Sequence, residues 1–282
     1  MRTSLVLGFF DGVHIGHQAV IESAVNFKIG NKVVLLTLND SPAKFFGKPA
    51  EYIFSRENSI KKLKLHGVDE VVADDFDKVH RISAEEYLNS IIKKYNPESV
   101  STGFNYTFGF NKTGTPDFLK KYDGNFTYIC TPPVTIDNEI VSSTLIKNCL
   151  KSGDIKKANK LLGSNFILEG TIIQGNKLGR QIGFPTANFD YPKEIVKIPF
   201  GAYIIKTDKH LGIMNYGVKP TVTGKNKPIV EVHLINFQGD LYGKKLTVNI
   251  LEKIRDEKKF SRLEDLKIQL QKDKEECLKL LS

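Results

Sequence analysis

Residues Val6–His17, VLGFFDGVHIGH, constrain this chain more than any other stretch. A short apolar run is interrupted by Gly8. An Asp11-Gly12 pair then makes a tight turn, His14-Ile15-Gly16-His17 follows, and Gln18–Phe27 reads as a helix. A strand, a compact turn and a helix start in so few residues leave backbone N–H groups unpaired at the positive end of a helix, where phosphate binds readily. Gly12 and Gly16 let the backbone come close to a ligand. His14 and His17 add donors from one side, so the stretch reads as an ATP phosphate site. Two histidines three apart also suit zinc, but no Glu completes an HExxH pattern and no cysteine is near. The bland alternative is a pair of ordinary loop histidines.

The chain has 282 residues, enough for two domains of ordinary size. Its composition, 40% hydrophobic and 26% charged, is that of a soluble globular protein. No apolar run approaches the roughly 20 residues that span a bilayer. Asp11 ends the first apolar stretch and no small-residue cleavage site follows, so that stretch reads as a strand rather than a signal peptide. Cys130, Cys149 and Cys277 form no CxxC pair. They argue against a disulfide framework and fit a reducing cytoplasm. The net charge of +9 falls entirely in residues 151–282, which hold 24 Lys+Arg against 15 Asp+Glu. Such a half can meet nucleic acid or phosphorylated small molecules. No tract of five basic residues and no nucleic-acid-binding motif is present, so neither a nucleic acid nor a membrane is expected as a partner.

The first half alternates. Lys32–Leu38, Val68–Val72, Ser99–Thr102 and Phe126–Cys130 read as strands, and Ser55–His66 and Ser83–Tyr95 as helices, the latter with a Ser83/Glu86 capping box. This alternation predicts a parallel sheet with helices on both faces, and ligands beyond the carboxyl ends of its strands. Two further segments belong to that edge. In Gly103–Gly114 (GFNYTFGFNKTG), Asn105 can hydrogen-bond a nucleotide while the aromatic residues stack or simply pack. In Val141–Lys147 (VSSTLIK), Ser143 or Thr144 is a suitable N-cap, with Lys147 one turn on along the same face. Hydroxyls and a cation at a helix start make a second phosphate cradle, or a plain capped helix.

After a helical connector, Lys151–Gly163, the pattern changes. Phe166–Ile173, Ala202–Thr207, Gly212–Tyr216, Ile229–Phe237 and Lys245–Ile254 are strand-like with no helix between them, as in an antiparallel barrel. Ser261–Glu264 reads as a capping box opening a final helix, with Leu263, Leu266, Leu270, Cys277 and Leu281 on its packing side. Gly175–Asn188, GNKLGRQIGFPTAN, is neither a P-loop nor GxGxxG. It is a basic loop, with Lys177 and Arg180, followed by Thr186 and Asn188, whose oxygens two apart can face one Mg²⁺. A hairpin with a proline turn is the other reading. In Ile229–Ile235, Val230, Val232 and Leu234 share one face and Glu231 and His233 the other. Glu231 there is a candidate general base, or an exposed strand carboxylate.

GFFDGVHIGH, GFNYTFG, SSTLIK, GFPTAN, IVEVHLI, DLYG and RDEKKF occur in one order and cover nearly the whole chain. Together they resemble the bacterial bifunctional riboflavin kinase/FAD synthetases. The resemblance implies a Rossmann-like nucleotidyltransferase domain with a parallel sheet over residues 1–152. It implies a riboflavin kinase-like antiparallel β-barrel with a C-terminal helix over residues 153–282. It assigns ATP in the first half to Gly8, Phe10, Asp11, Gly12, Gly16, Asn105, Ser142, Ser143 and Thr144, with His14, His17 and Lys147 at the adenylyl transfer. In the second half it assigns ATP to Gly175, Lys177, Gly183 and Pro185, Mg²⁺ to Thr186 and Asn188, proton removal to Glu231, and flavin contacts to Arg255, Glu257 and Phe260. Riboflavin, FMN and ATP are the implied substrates, FMN and FAD the products, the cytoplasm the location, and a monomer or weak oligomer the assembly. The chain departs from the family where an F-x-P-H-P-like run is replaced by Leu38–Pro42 (LNDSP), and where Lys147 stands for an Arg. A chain retaining only the kinase, and a flavin-binding regulator, are the alternatives.

Overall fold

The computed structural model describes residues 2–27, 32–174, 179, 182–219 and 227–279. The chain divides into two compact units, Met1–Ser143 and Thr144–Ser282.

In the first unit, β1 (Thr3–Leu7), β2 (Lys32–Leu38), β3 (Glu70–Asp74), β4 (Pro97–Gly103) and β5 (Thr127–Thr131) form one parallel sheet in the order β3-β2-β1-β4-β5. Alternate residues of a strand face opposite sides, so β1 and β2 feed two cores. Leu5, Leu7, Val34 and Leu36 pack with Leu88 and Ile91 of α5 (Ala84–Tyr95). Val6, Val33 and Leu35 pack with Val20, Ile21 and Ala24 of α1 (Ile15–Phe27). Burial on both faces explains why KVVLLTL is continuously apolar instead of alternating. Helix α5 starts as expected, the Ser83 hydroxyl accepting from Glu86 N at 3.1 Å. Three short helices, α2 (Pro42–Phe45), α3 (Arg56–Leu65) and α4 (Phe76–Val79), lie between β2 and α5, and α6 (Pro116–Lys121) precedes β5. The chain winds outward from β1 through β2 to β3, then returns to β4 on the other side of β1. The carboxyl ends of β1 and β4 are therefore the switch point where such sheets bind ligands.

Helix α7 (Ser143–Ser152) begins on the last residue of the first unit; in the second unit the rest of it and α8 (Ile155–Leu162) precede six strands: β8 (Phe166–Thr171), β9 (Ala187–Asp190), β10 (Gly201–Lys206), β11 (Leu211–Lys219), β12 (Lys227–Leu234) and β13 (Lys245–Asp256). They pair antiparallel in the order β8-β13-β10-β11-β12-β9, and Ile173 N donates to Asn188 O at 2.8 Å, bringing the two edges into a nearly closed barrel. Phe166, Phe189, Tyr203, Met214, Val230, Val232 and Val248 fill it. The C-terminal helix α9 (Leu263–Leu278) lies against β11.

Several expectations change. Helix α1 begins at Ile15, so Gly16 and His17 are in its first turn. Ala187–Asp190 is a strand, since its backbone meets β12 over four residue pairs, and not part of a proline hairpin. Asp137 and Asn138, with φ of 50° and 65°, turn a small hairpin of β6 (Thr135–Ile136) and β7 (Glu139–Ile140) that the sequence reading missed. Helix α9 starts one residue after Arg262 with no side-chain cap, so Ser261 does not form the expected capping box. Leu263 is exposed rather than packed, and Leu281 lies outside the described residues.

Barrel closure depends on a small residue. A Cβ at Gly170 of β8 would sit 2.2 Å from Phe189 Cδ2 of β9. Gly170→Ala is expected to destabilise the second unit by about 1–3 kcal/mol, read as a melting temperature lowered by roughly 3–10 °C.

Candidate functional site

The turn after β1 is held from several directions. Asp11 Oδ1 accepts from Ile53 N at 2.9 Å, its carbonyl accepts from the Ser143 hydroxyl at 2.8 Å, and Gln18 Nε2 donates to the Val13 carbonyl at 2.8 Å. The restraint is needed, because Val13, buried and β-branched, has a φ of +43° beside Gly12 at +89°. Phe10 is buried and sets its ring edge-on to His17, with centroids 5.1 Å apart, so its side chain supports the site from beneath. Gly8 N donates to Leu36 O at 3.2 Å and continues the sheet by one residue.

His14 and His17 stack with ring centroids 3.6 Å apart and planes 18° from parallel. A Cβ on Gly16 would come within 3.2 Å of the His14 ring, so glycine leaves the space that the stack uses. His17 N donates to His14 Nδ1 at 3.3 Å, which places the His14 proton on Nε2. Burial pulls the His14 pKa down to about 4. Burial, and then the neighbouring His14, hold His17 well below the ordinary imidazole value. The free site is thus a pair of neutral imidazoles, and His17 Nδ1 is buried without a hydrogen-bond partner among the described residues.

Asn105 follows β4 and is exposed at the same sheet edge. The neighbouring Tyr106 and Phe108 stack on each other and pack into the core, the second of the two roles open to these aromatics. Helix α7 begins at Ser143, and this hydroxyl ties the helix start to Asp11 instead of capping it. Ser142 precedes the helix, Thr144 is exposed, and Lys147 lies one turn in. The LNDSP run is hydrogen-bonded in place. Asn39 donates to Asp75, Tyr52 Oη donates to Asp40 at 3.2 Å, and the same oxygen accepts from Ser41 N at 3.1 Å.

The candidate residues of the second unit lie on the outward face of the barrel. In the register of β9, β12 and β11, Glu231 is paired with Asn188 on one side and Asn215 on the other. Val230 and Val232 turn inward, as their alternation requires. Thr186, Asn188, Asn215, Glu231, Arg255 and Phe260 line one cavity of about 190 Å³. Asn215 was missed, because an isolated Asn in a strand carries no signal of its own. Asn188 is 3% exposed, and its Oδ1 has no hydrogen-bond partner among the described residues. An orphaned amide oxygen beside a Thr and a carboxylate suits a hard, oxygen-binding cation. The loop before β9 is fastened by His233, whose Nδ1–H donates to the Pro185 carbonyl at 2.9 Å while its ring packs on Phe184. Burial lowers the His233 pKa. Gly183 is exposed in the same loop with a φ of +85°. Gly175, Lys177 and Arg180 lie outside the described residues. Glu257 does not line this cavity; its Oε1 accepts from Val218 N at 2.9 Å and joins the loop after β13 to β11. A wider depression bordered by Arg2, Asn96 and Glu98, at the amino edge of the parallel sheet, holds none of the residues singled out from the sequence.

The depressed His14 pKa sets a sign. The unfolded chain takes up this proton near pH 6.5, the folded chain only near 4. Stability is therefore full above pH 6.5 and falls as pH drops through the window from 6.5 to 4, by about 3 kcal/mol for this group. Thermal unfolding followed across this range is expected to show a shallower decline for His14→Gln than for the parent.

Two family models match the chain, FAD synthetase over residues 1–145 and riboflavin kinase over residues 162–281. The chain is 31% identical to the bifunctional riboflavin kinase/FMN adenylyltransferase of Bacillus subtilis (strain 168), over 100% of this chain and 93% of that protein. It is 35% identical to the enzyme of the same name from Pseudomonas fluorescens, over 95% of this chain and 89% of that protein. Among solved structures, one described as a macrolide-efflux protein from Streptococcus pneumoniae matches with a TM-score of 0.88 at 32% identity, over 97% of this chain and 93% of that one. Among the described residues, no helix is long and apolar enough to cross a membrane. With both family models in order and relatives matching along its whole length, the chain belongs to the bifunctional riboflavin kinase/FMN adenylyltransferase family.

Proposed function

We propose that residues 1–152 adenylylate FMN to FAD and residues 153–282 phosphorylate riboflavin to FMN. The observation that carries the kinase half is Glu231 standing between Asn188 and Asn215 on one cavity wall, with Thr186 beside them. Glu231 takes the proton of the ribityl 5′-hydroxyl as its oxygen attacks the γ-phosphorus of ATP; the bond to the β,γ-bridging oxygen breaks and ADP leaves. Such a transfer needs chiefly positioning and charge neutralisation. Asn188 and Thr186 would hold Mg²⁺, which when bound neutralises phosphate charge. Gly183 and Pro185 shape the loop against which the nucleotide rests, with Gly175 and Lys177 assigned there by the family resemblance. Phe260 and Arg255 border the flavin end of the cavity.

In the first unit an oxygen of the FMN phosphate attacks the α-phosphorus of a second ATP, and pyrophosphate leaves. No protein nucleophile takes part. The neutral His14 and His17 donate N–H groups to the phosphates, and binding this anion raises their proton affinity, so charge is added where it develops. Gly12 and Gly16 let the turn close against Ile53 and the His14 ring, which leaves the backbone N–H groups at the start of α1 for the phosphates; Asn105 and Ser142 complete the nucleotide's surroundings, with Thr144 and Lys147 assigned there by the family resemblance. Phe45 and Phe46, 45% and 64% exposed beyond the carboxyl end of β2, offer rings to the flavin of FMN. The three free cysteines accord with a reducing cytoplasm.

Chromatographic separation of riboflavin, FMN and FAD tests the assignment. Glu231→Ala is expected to abolish FMN formation and to leave FAD formation from supplied FMN intact. His17→Ala is expected to do the reverse, and Phe46→Ala to raise the KM for FMN alone; loss of both activities in either of the first two variants would refute a two-site enzyme. Asn188→Ala is expected to raise the Mg²⁺ concentration that half-saturates riboflavin phosphorylation by about ten- to a hundredfold, and an unchanged Mg²⁺ titration would remove Asn188 from the metal site.

A further inference from the structure

Helix α9 is attached in an unusual way. Of its 16 residues only Asp273 and Cys277 are buried, while Leu263, Ile268 and Leu278 are exposed. A helix held by an apolar stripe would show the reverse. Cys277 sits under Ile204, Ile213 and Ile235 near the C-terminal end of the helix. Nearer its middle the attachment is ionic. Arg255 of β13 donates Nε to Asp273 Oδ1 at 3.0 Å and Nη2 to Oδ2 at 2.7 Å, and Gln269 donates to Oδ1 at 2.8 Å. Nη1 of Arg255 donates to the Asp256 carbonyl at 3.1 Å. The guanidinium therefore has a donor from each of its three nitrogens committed within the protein. Meanwhile Leu266 and Leu270, one turn apart on α9, stay half-buried and line the same cavity as Glu231 and Asn188.

We infer that Asp273 is a positioning residue for riboflavin: through Arg255 it holds α9 so that Leu266 and Leu270 form an apolar wall for the flavin ring opposite the chemistry at Glu231. This rests on the kinase reading above. The fork of Arg and carboxylate fixes distance and angle together, which a single charge cannot do. With its ionic anchor on β13, the helix keeps its leucines at the cavity instead of sinking them into the barrel. The flavin ring is planar and largely apolar, so a wall displaced by an ångström weakens its binding and misaligns the ribityl hydroxyl, while ATP at the loop before β9 is untouched.

A buried ion pair that serves stability alone can be exchanged for apolar residues of similar volume without loss. That provides the test. The full chain carrying Asp273→Asn, Arg255→Lys, or Arg255→Met with Asp273→Leu is assayed for KM of riboflavin, KM of ATP and kcat in FMN formation, and for FAD formation from supplied FMN. Thermal unfolding is recorded for each protein. The expected result is a riboflavin KM raised about ten- to a hundredfold in Asp273→Asn and in the double variant, with ATP KM and FAD formation unchanged. Arg255→Lys, which keeps the charge without the fork, falls between. The riboflavin KM stays high in the double variant even when its melting temperature equals the parent's. A double variant with the parental riboflavin KM would overturn the inference, since the pair would then serve stability alone. Unfolding of the second unit in both Asp273 variants would overturn it as well, because the pair would then hold the barrel and not the cavity wall. If the parent chain makes no FMN from riboflavin, the kinase reading itself fails, and this is seen before any variant is compared.

Discussion

The pairing of β9 with β12 is the constraint on which the second unit depends. Four backbone pairs bring Asn188 beside Glu231, although 43 positions separate them in the chain. Because side chains alternate across a strand, a slip of one residue would turn Glu231 and His233 into the barrel and expose Val230 and Val232. The apolar side of β12 therefore sets the register for its polar side, and core packing places Glu231. The His233–Pro185 hydrogen bond extends the same pairing into the loop that carries Thr186, so Thr186, Asn188 and Glu231 are placed by one piece of sheet.

The first unit solves a different problem. The turn after β1 is a chain reversal so tight that a buried valine adopts a left-handed conformation, of order 1–3 kcal/mol of strain. Bonds from Ile53, Gln18 and Ser143 hold that reversal, one from the first turn of the helix it opens and two from segments far beyond that helix. The histidines are stored uncharged, because two stacked cations away from water would repel each other and lose solvation. A neutral stack avoids that cost and still carries N–H donors, which suits the proposed phosphate site.

The LNDSP run shows how a departure from a family pattern can be accommodated. Where the family resemblance leads one to expect an F-x-P-H-P-like run, this chain links Asp40 and Ser41 through the Tyr52 hydroxyl, and Asn39 to Asp75. Tyr52 in turn packs on Phe9, next to the turn after β1. A hydrogen-bonded network thus supplies order at the end of β2 where proline rings would supply it by restricting φ.

The sequence alone determined whatever is local or periodic. The βα alternation, the Ser83 cap, the histidine turn and the two-faced β12 all follow from spacings of two to four residues, and the backbone obeys those spacings wherever it folds. The family motifs were legible for the same reason, since each is a short contiguous string. What only the tertiary structure decided lies in pairings across long separations. Ala187–Asp190 is a strand because β12 needs a neighbour, Asn215 belongs to the site because β11 runs beside Glu231, and Asp273 is buried because Arg255 meets it from another element. Helix α9 illustrates the difference most clearly. Its periodicity predicts an apolar attachment, which Cys277 provides, yet the helix also buries the carboxylate of Asp273, since a guanidinium presented by the barrel can compensate that charge and no helical periodicity reports where such a partner will be.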